Sequence, residues 1–559
     1  MSAQHTQIRK WSRQWTLVQL LAAPCSSSRR SCTRVALLPL LLCALLFQAP
    51  SSLASAQTAQ AAPAAPPTPS QASGESHVSP DQAKQLFSVV DELLKFSSQE
   101  SGLAIQSEVK RQVTSREAVE NYLQQKFDED EDAKRMQSSE IVLKKFGLLD
   151  RDFNLKPFLL ALLKEQIEAY YDAKTKSVYM LDWVNIDEQK PVLAHELTHA
   201  LQDQRVGLEK WSEQTPADVS LSAAEDSDHL ARDEMDTARE AVVEGQATAV
   251  MMDYILRPLG KSLVKDPEVI DEVKDQMDGT GDSPILARAP ILLSESLLFP
   301  YREGLSFIQD LWMDKGQKVA FAGAMDHPPV STWEIINPRE YERSSIPAVP
   351  LLPNIHPLVD KLYRPYDIGQ VGQLDVHILT EIFGGDEAAR TFSPAWDGGI
   401  YWAGQLRSAQ TPAAQASIGS IAFFYLSAWK NEASARAFAR LYADNLNRKY
   451  SGVKVANVAA AGSIKEDSPV HSEDRERVYT TAEGPVLITI RGRRVFVSES
   501  FDLPLARKLS SRVLDAQGGG AMENALAAPS ASLTAPLTGF FSQCGVMKAA
   551  VGAALRSAR

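Results

Sequence analysis

The eleven residues from Pro191 to Leu201 place two imidazoles and a carboxylate, His195, Glu196 and His199, inside an otherwise apolar stretch, and this restricts the fold more than any other feature. On an α-helix, residues four apart lie one above the other, so His195 and His199 can hold one metal ion from a single face. Val192, Leu193, Ala194, Leu197, Ala200 and Leu201 predict a buried helix, with Pro191 near its first turn. In a chain with nine histidines, composition alone produces an H-E-x-x-H string with odds of roughly one in a hundred. A buried acid between two buried histidines needs a partner, and a cation supplies one. Beside that cation, Glu196 could take a proton from a metal-bound water.

The start of the chain predicts export. Arg9, Lys10, Arg13, Arg29, Arg30 and Arg34 precede an apolar run, Val35 to Phe47, and then Ala54-Ser55-Ala56, the order of a secretory signal over residues 1–56 with cleavage near Ala56. The apolar run is too short to span a bilayer comfortably. Removing those six basic residues from the chain's 58 leaves 52 against 70 acidic ones, a net charge of −18. Such a surface disfavours nucleic acid and anionic membranes as partners, since both need a basic face. Of Cys25, Cys32, Cys43 and Cys544 only the last follows the cleavage site, which excludes an internal disulfide framework.

Residues 57–78 lack large apolar groups and read as a disordered linker. Ser79-Pro80 predicts an N-cap and N1 pair opening an N-terminal helical region, 79–165, with further helices over Ser115–Phe127 and from Ser138 to a C-cap at Gly147. Ile167–Tyr171 and Ser177–Leu181 predict a hairpin just before the motif helix, and an open strand edge there can hold an extended peptide. Most of the acids between Gly207 and Asp236 read as solvated, a long helix follows from Ala238 to before Pro258, and 285–316 is helical with a break at Pro300. Strands over Ile418–Leu426, Val478–Thr481 and Val486–Glu499 and helices over Asn431–Leu446 and Pro504–Leu514 predict a small α+β domain, 371–516, before a low-complexity tail, 517–559.

A catalytic zinc site takes three protein ligands and keeps a fourth position for water. Glu244 is the best third candidate: it is an acid set in an apolar helix, where a lone carboxylate is costly, and Gly245 beside it allows another backbone to approach. His229 and Asp228 are further candidates. With Glu244-Gly245-Gln246-Ala247 the chain resembles the gluzincins, zinc metallopeptidases that join H-E-x-x-H to a glutamate on a downstream helix, through a stretch similar to their N-E-G-x-A. The resemblance covers roughly residues 160–260 and implies His195, His199 and Glu244 as Zn2+ ligands and Glu196 as general base. Two departures stand: 44 residues separate His199 from Glu244, and Val243 takes the asparagine's place. Glu240 competes as the third ligand, because thermolysin-like members carry an orienting acid four residues after the ligand. A second resemblance, to exported bacterial H-E-x-x-H proteins, extends through Ala200 to Gln204 and Pro328 to Thr332 and implies one catalytic unit to about residue 345.

The expected fold class is therefore α+β, a mainly helical zincin-like domain over 79–345 with a small hairpin or sheet, followed by the smaller α+β domain. The expected function is that of an exported zinc metallopeptidase acting on a peptide or protein, by a zinc-activated water with Glu196 as base. The alternatives are an inactive zincin-fold binding protein of the cell envelope and an amidase acting on cell-wall crosslinks. For the oxyanion donor such enzymes add, composition offers Tyr301, Arg302 and His327.

Overall fold

The computed structural model describes residues 80–129, 131–212, 222–230, 232, 234–278, 283–345, 347–456, 475–517, 537, 541 and 548–557. The expected signal, the linker and most of the tail lie outside the described residues. The chain folds as a mixed α+β protein with a three-stranded and a seven-stranded sheet.

The N-terminal half builds helices α1 (Pro80–Ser101), α2 (Arg116–Glu129), α3 (Glu131–Phe146) and α4 (Leu155–Gln166) around strand β1 (Lys110–Thr114). Gly147 caps α3 in the left-handed region at φ 85°, with Leu148 N–H returning to the Leu143 carbonyl at 3.0 Å. The hairpin forms as expected, β2 (Ala169–Asp172) antiparallel to β3 (Ser177–Leu181). Strand β1, which the polar sequence Lys-Arg-Gln-Val-Thr conceals, pairs parallel to β3 and leaves β2 as an edge.

Buried Gln189 ties the hairpin to the motif helix: its amide exchanges hydrogen bonds with Leu181 N and O and donates to Val184 O. Helix α5 (Ile186–Val206) starts at Asn185, whose side chain accepts from Asp187 N, so Pro191 lies inside the helix rather than in its first turn. After the short helix α6 (Ala223–Leu230), α7 (Met235–Leu256) carries Glu244, and α8 (Val269–Asp278) leads to α9 (Ile291–Lys315). Pro300 sits inside α9 without breaking it, a departure from the expected interruption. One turn after Pro300, α9 seats against α7. A Cβ on Gly245 would lie 2.3 Å from Gly304 O, and one on Gly304 would lie 2.2 Å from Ala241 O. Only glycine at both positions lets the two backbones touch.

Two of the acids expected in water are buried. Asp226 pairs with His356 at 3.1 Å, and Glu234 accepts from Thr332 N at 2.7 Å and Thr332 Oγ1 at 2.8 Å.

In the C-terminal half, β4 (Tyr363–Gln370), α10 (Gln373–Gly384), β5 (Trp396–Leu406), β6 (Ile421–Trp429), α11 (Glu432–Asp444), β7 (Lys454–Val455), β8 (Arg475–Thr481), β9 (Gly484–Arg491), β10 (Arg494–Glu499) and α12 (Leu503–Asp515) follow in order. The sheet is antiparallel, in the order β4-β5-β6-β10-β9-β8-β7. Along β6, Phe423 and Tyr425 enter one core and Phe424 and Leu426 the other, so both faces are covered and the strand reads as one apolar run. Helix α3 lies on the first face, with the Phe146 ring 4.4 Å from that of Phe423. One core thus runs from Val90 through Leu193 and Leu197 to Tyr425. The end of the chain joins it: helix α13 (Lys548–Ser557) packs by Val551 and Ala554, and Ala549 N–H bonds Gln166 Oε1 at 3.1 Å.

Gly245→Ala is expected to cost about 3 kcal/mol or more, because the new methyl must push α9 off α7. Urea unfolding checks this against Gly419→Ala, where the nearest atom would be 3.6 Å away and little change is expected.

Candidate metal centre

Helices α5 and α7 bring three ligand atoms to one point. His195 Nε2 lies 3.0 Å from Glu244 Oε2 and 2.8 Å from His199 Nε2, and His199 Nε2 lies 3.5 Å from Glu244 Oε2. Tetrahedral zinc with bonds of about 2.0–2.1 Å would hold its ligand atoms about 3.3 Å apart. The donor set and its spacing therefore fit such an ion. His195 and Glu244 are 0% and 1% exposed, His199 9%. Glu240 is buried one turn earlier on α7 but is not part of this group. Of the two competing acids, the structure brings Glu244 to the histidines.

The electrostatics of the cluster follow from its burial. Burial, with the neighbouring His199, lowers His195 to about 4. Burial opposes a charge on His199 too, but the Glu244 carboxylate outweighs it and raises that imidazole to about 9. Glu244, which burial alone would raise, is held well below the ordinary carboxylate range by the two imidazoles. Burial raises Glu196 to about 8. Near neutral pH the cluster is thus one imidazolium, one carboxylate and two neutral groups. A divalent cation that displaced the protons of His199 and Glu196 would leave it neutral again.

Glu196 stands beside this point at the free edge of β2. Its Oε2 accepts from Tyr171 N–H at 2.7 Å, while Oε1 is buried with no hydrogen-bond partner. Tyr301 reaches the cluster from α9, three residues before Gly304 and so on the face that meets α7. Its ring lies 6.2 Å from that of His195 at 28°. The buried hydroxyl makes no hydrogen bond of full geometry and faces Glu244 and Glu196, and burial, then those carboxylates, push its pKa well up. Among the sequence candidates for an oxyanion donor, Tyr301 alone is brought here.

Arg302 turns instead to Glu295 at 2.7 Å and Glu303 at 3.7 Å. His327 is exposed in the turn after Asp326. Glu295, His377 and Glu381 form a second group with three close ligand atoms, but Arg302 already neutralises Glu295. His229 is buried on α6 and belongs to neither group. Gln202 joins the site as well, its Oε1 2.8 Å from His199 Nδ1; its one signal in the sequence is a polar amide at helical spacing on a buried face.

No family model, curated protein or solved structure matches this chain.

Zinc titration with a competing chelator is expected to show one tight site. His195→Ala and Glu244→Ala should each abolish it, whereas Glu240→Ala should keep it; loss of zinc in the Glu240 variant alone would reverse the assignment of the third ligand.

Proposed function

We propose that the protein is an exported zinc-dependent peptidase of zincin-like architecture. The observation that carries this reading is the convergence of His195 Nε2, His199 Nε2 and Glu244 Oε2 beside a carboxylate oxygen, Glu196 Oε1, that no protein group occupies. Further support comes from the N-terminal signal pattern and from the acidic balance, which suits neither nucleic acid nor an anionic membrane. No helix among the described residues is long and apolar enough to cross a membrane.

His195, His199 and Glu244 would hold the ion. Bound there, zinc supplies Lewis acidity and lowers the pKa of a coordinated water toward about 7. Glu196 Oε1 takes one proton from the water as its oxygen adds to the scissile carbonyl carbon. The same oxygen then hands the proton to the leaving nitrogen as the C–N bond breaks, and the water's second proton passes from the new carboxyl group to the amine, giving a carboxylate and an ammonium. In the free protein the Tyr171 N–H bond occupies Oε2 and leaves Oε1 without a hydrogen-bond partner. Tyr301 donates its hydroxyl hydrogen bond to the carbonyl oxygen as negative charge develops on it.

A second reading, a non-catalytic metal site in a binding protein, is favoured by the burial of all four groups, none more than 9% exposed. Hydrolysis of a diverse peptide mixture by the zinc-loaded protein separates the two. On the peptidase reading, Glu196→Gln keeps zinc and lowers turnover by about 10²–10⁴-fold. Tyr301→Phe keeps zinc and lowers kcat by about 10²-fold, with KM little changed. A zinc-loaded wild type that cleaves nothing in the mixture leaves the second reading standing.

A further inference from the structure

We propose that Gln202 and Gln246 are positioning residues that fix which nitrogen of His199 carries the proton, and that the reference for this choice is a single π-helical turn, Val319–Gly323. The inference rests on the reading of His199 as a metal ligand.

Both glutamines are fully buried, Gln202 on α5 three residues after His199 and Gln246 on α7 two residues after Glu244. Gln246 Nε2 donates to Ala320 O at 2.8 Å and to Phe321 O at 2.9 Å. Carbonyl oxygens only accept, so this end of Gln246 must be its NH2 group, and Oε1 must face the other way. There it accepts from Gln202 Nε2 at 3.0 Å, and the second hydrogen of that amide goes to Val243 O at 3.0 Å. Gln202 Oε1 is thereby forced toward His199 Nδ1, 2.8 Å away.

Every amide hydrogen of the two side chains is used, and each flip is dictated by an acceptor-only group. Turning Gln246 over would set its oxygen against two carbonyl oxygens and its NH2 against the NH2 of Gln202. Turning Gln202 over would set two oxygens against each other. In this frame His199 Nδ1 must be the N–H, because an unprotonated Nδ1 would face the Gln202 oxygen lone pair to lone pair. The neutral ring then has its lone pair on Nε2, which points at His195 and Glu244. A ligating histidine is commonly oriented by the partner of its other nitrogen. The distinctive feature here is that the partner's own orientation is set two amides away. The wider turn of a π-helix leaves carbonyl capacity for an outside donor, and π-turns recur at functional sites.

Gln202→Leu is expected to weaken Zn2+ binding about 10–100-fold in chelator competition. Gln246→Leu, which frees the Gln202 amide without touching His199, should weaken it by less. A solely structural role for Gln202, donating to Val243 O, would make Gln202→Glu as harmful as Gln202→Leu, since neither side chain can donate. An orienting role predicts that Gln202→Glu, which still accepts from Nδ1–H, retains the affinity that Gln202→Leu loses.

A measurement on the unmutated chain avoids any folding defect. In zinc-loaded protein with 15N-labelled histidine, the His199 ring should show a solvent-protected Nδ1–H and a metal-bound Nε2. Tight zinc with His199 bound through Nδ1, or without that proton, overturns the relay and leaves the metal site intact. No zinc uptake at all overturns the metal reading itself.

Discussion

Glu244 is a charged carboxylate in the middle of a helix with 1% of its surface exposed, and the surrounding structure is organised by the need to neutralise it. A lone buried carboxylate is among the costliest groups a protein can hold. Two imidazoles on α5 meet it at 3.0 and 3.5 Å, which requires α5 and α7 to pack in one register. That register depends on what lies behind α7. Gly245 and Gly304 let α9 touch its backbone, and the same contact sets Tyr301 against the cluster. The polar centre and the glycine contact with α9 are thus two sides of one turn of α7.

The C-terminal half has its own buried charge, handled differently. Lys449 Nζ lies 2.6 Å from Glu499 Oε1, which also accepts from Tyr442 at 2.7 Å, and Tyr450 donates to the other carboxylate oxygen. All four groups come from the sheet and its helices, so the pair is complete without an added ion. Burial still lowers Lys449 to about 8. Lys145 of α3 adds bonds of 2.7 Å to Glu483 and to Ser500 Oγ. These bonds and Phe146 anchor the N-terminal half on the seven-stranded sheet. At Glu244 the partners are imidazoles, which can also ligate a cation, and Glu196 Oε1 beside them has no hydrogen-bond partner; at Glu499 the partners are a lysine and two tyrosines, and no ligand is called for.

What the sequence revealed and concealed follows the range of the interactions involved. His195, Glu196 and His199 were legible because helical spacing is local, and Glu244 because an acid in an apolar helix has few explanations. Gly245 announced a close approach that Gly304 completes. The mixed α+β class was legible from the change of periodicity after residue 371. Strands β1, β4 and β5 were not. β1 is polar, β4 carries Pro365 at a bulge, and β5 opens on Asp397-Gly398-Gly399, so none shows a clean alternation. Pro191 and Pro300 misled because a helix held by tertiary packing tolerates a proline that an isolated one would not. Asp226 and Glu234 look like solvated charges in the sequence because their partners, His356 and Thr332, lie about a hundred residues or more away. Gln202 and Gln246 were hidden for the same reason: their meaning lies in carbonyls of a turn near residue 320.

The bond from Tyr171 N–H to Glu196 Oε2 links the site to the outside of the fold. It spends an edge amide of β2, the strand whose open side could otherwise hold an extended chain, on the acid proposed as general base. Tyr171 is fastened further by its hydroxyl, which donates to Asp203 Oδ2 at 2.7 Å, and Lys176 closes on the same oxygen at 2.6 Å. Asp203 also caps the end of α5 by accepting from Leu208 N. The hairpin is therefore pinned to the motif helix at both Glu196 and Asp203, two turns apart. On the peptidase reading, a chain that added to the edge of β2 beside Glu196 would compete with the carboxylate for the Tyr171 amide. Substrate docking and release of Glu196 Oε2 would then be one event. The Asp203 contacts, which do not involve that edge amide, would keep the hairpin on the helix while it happened.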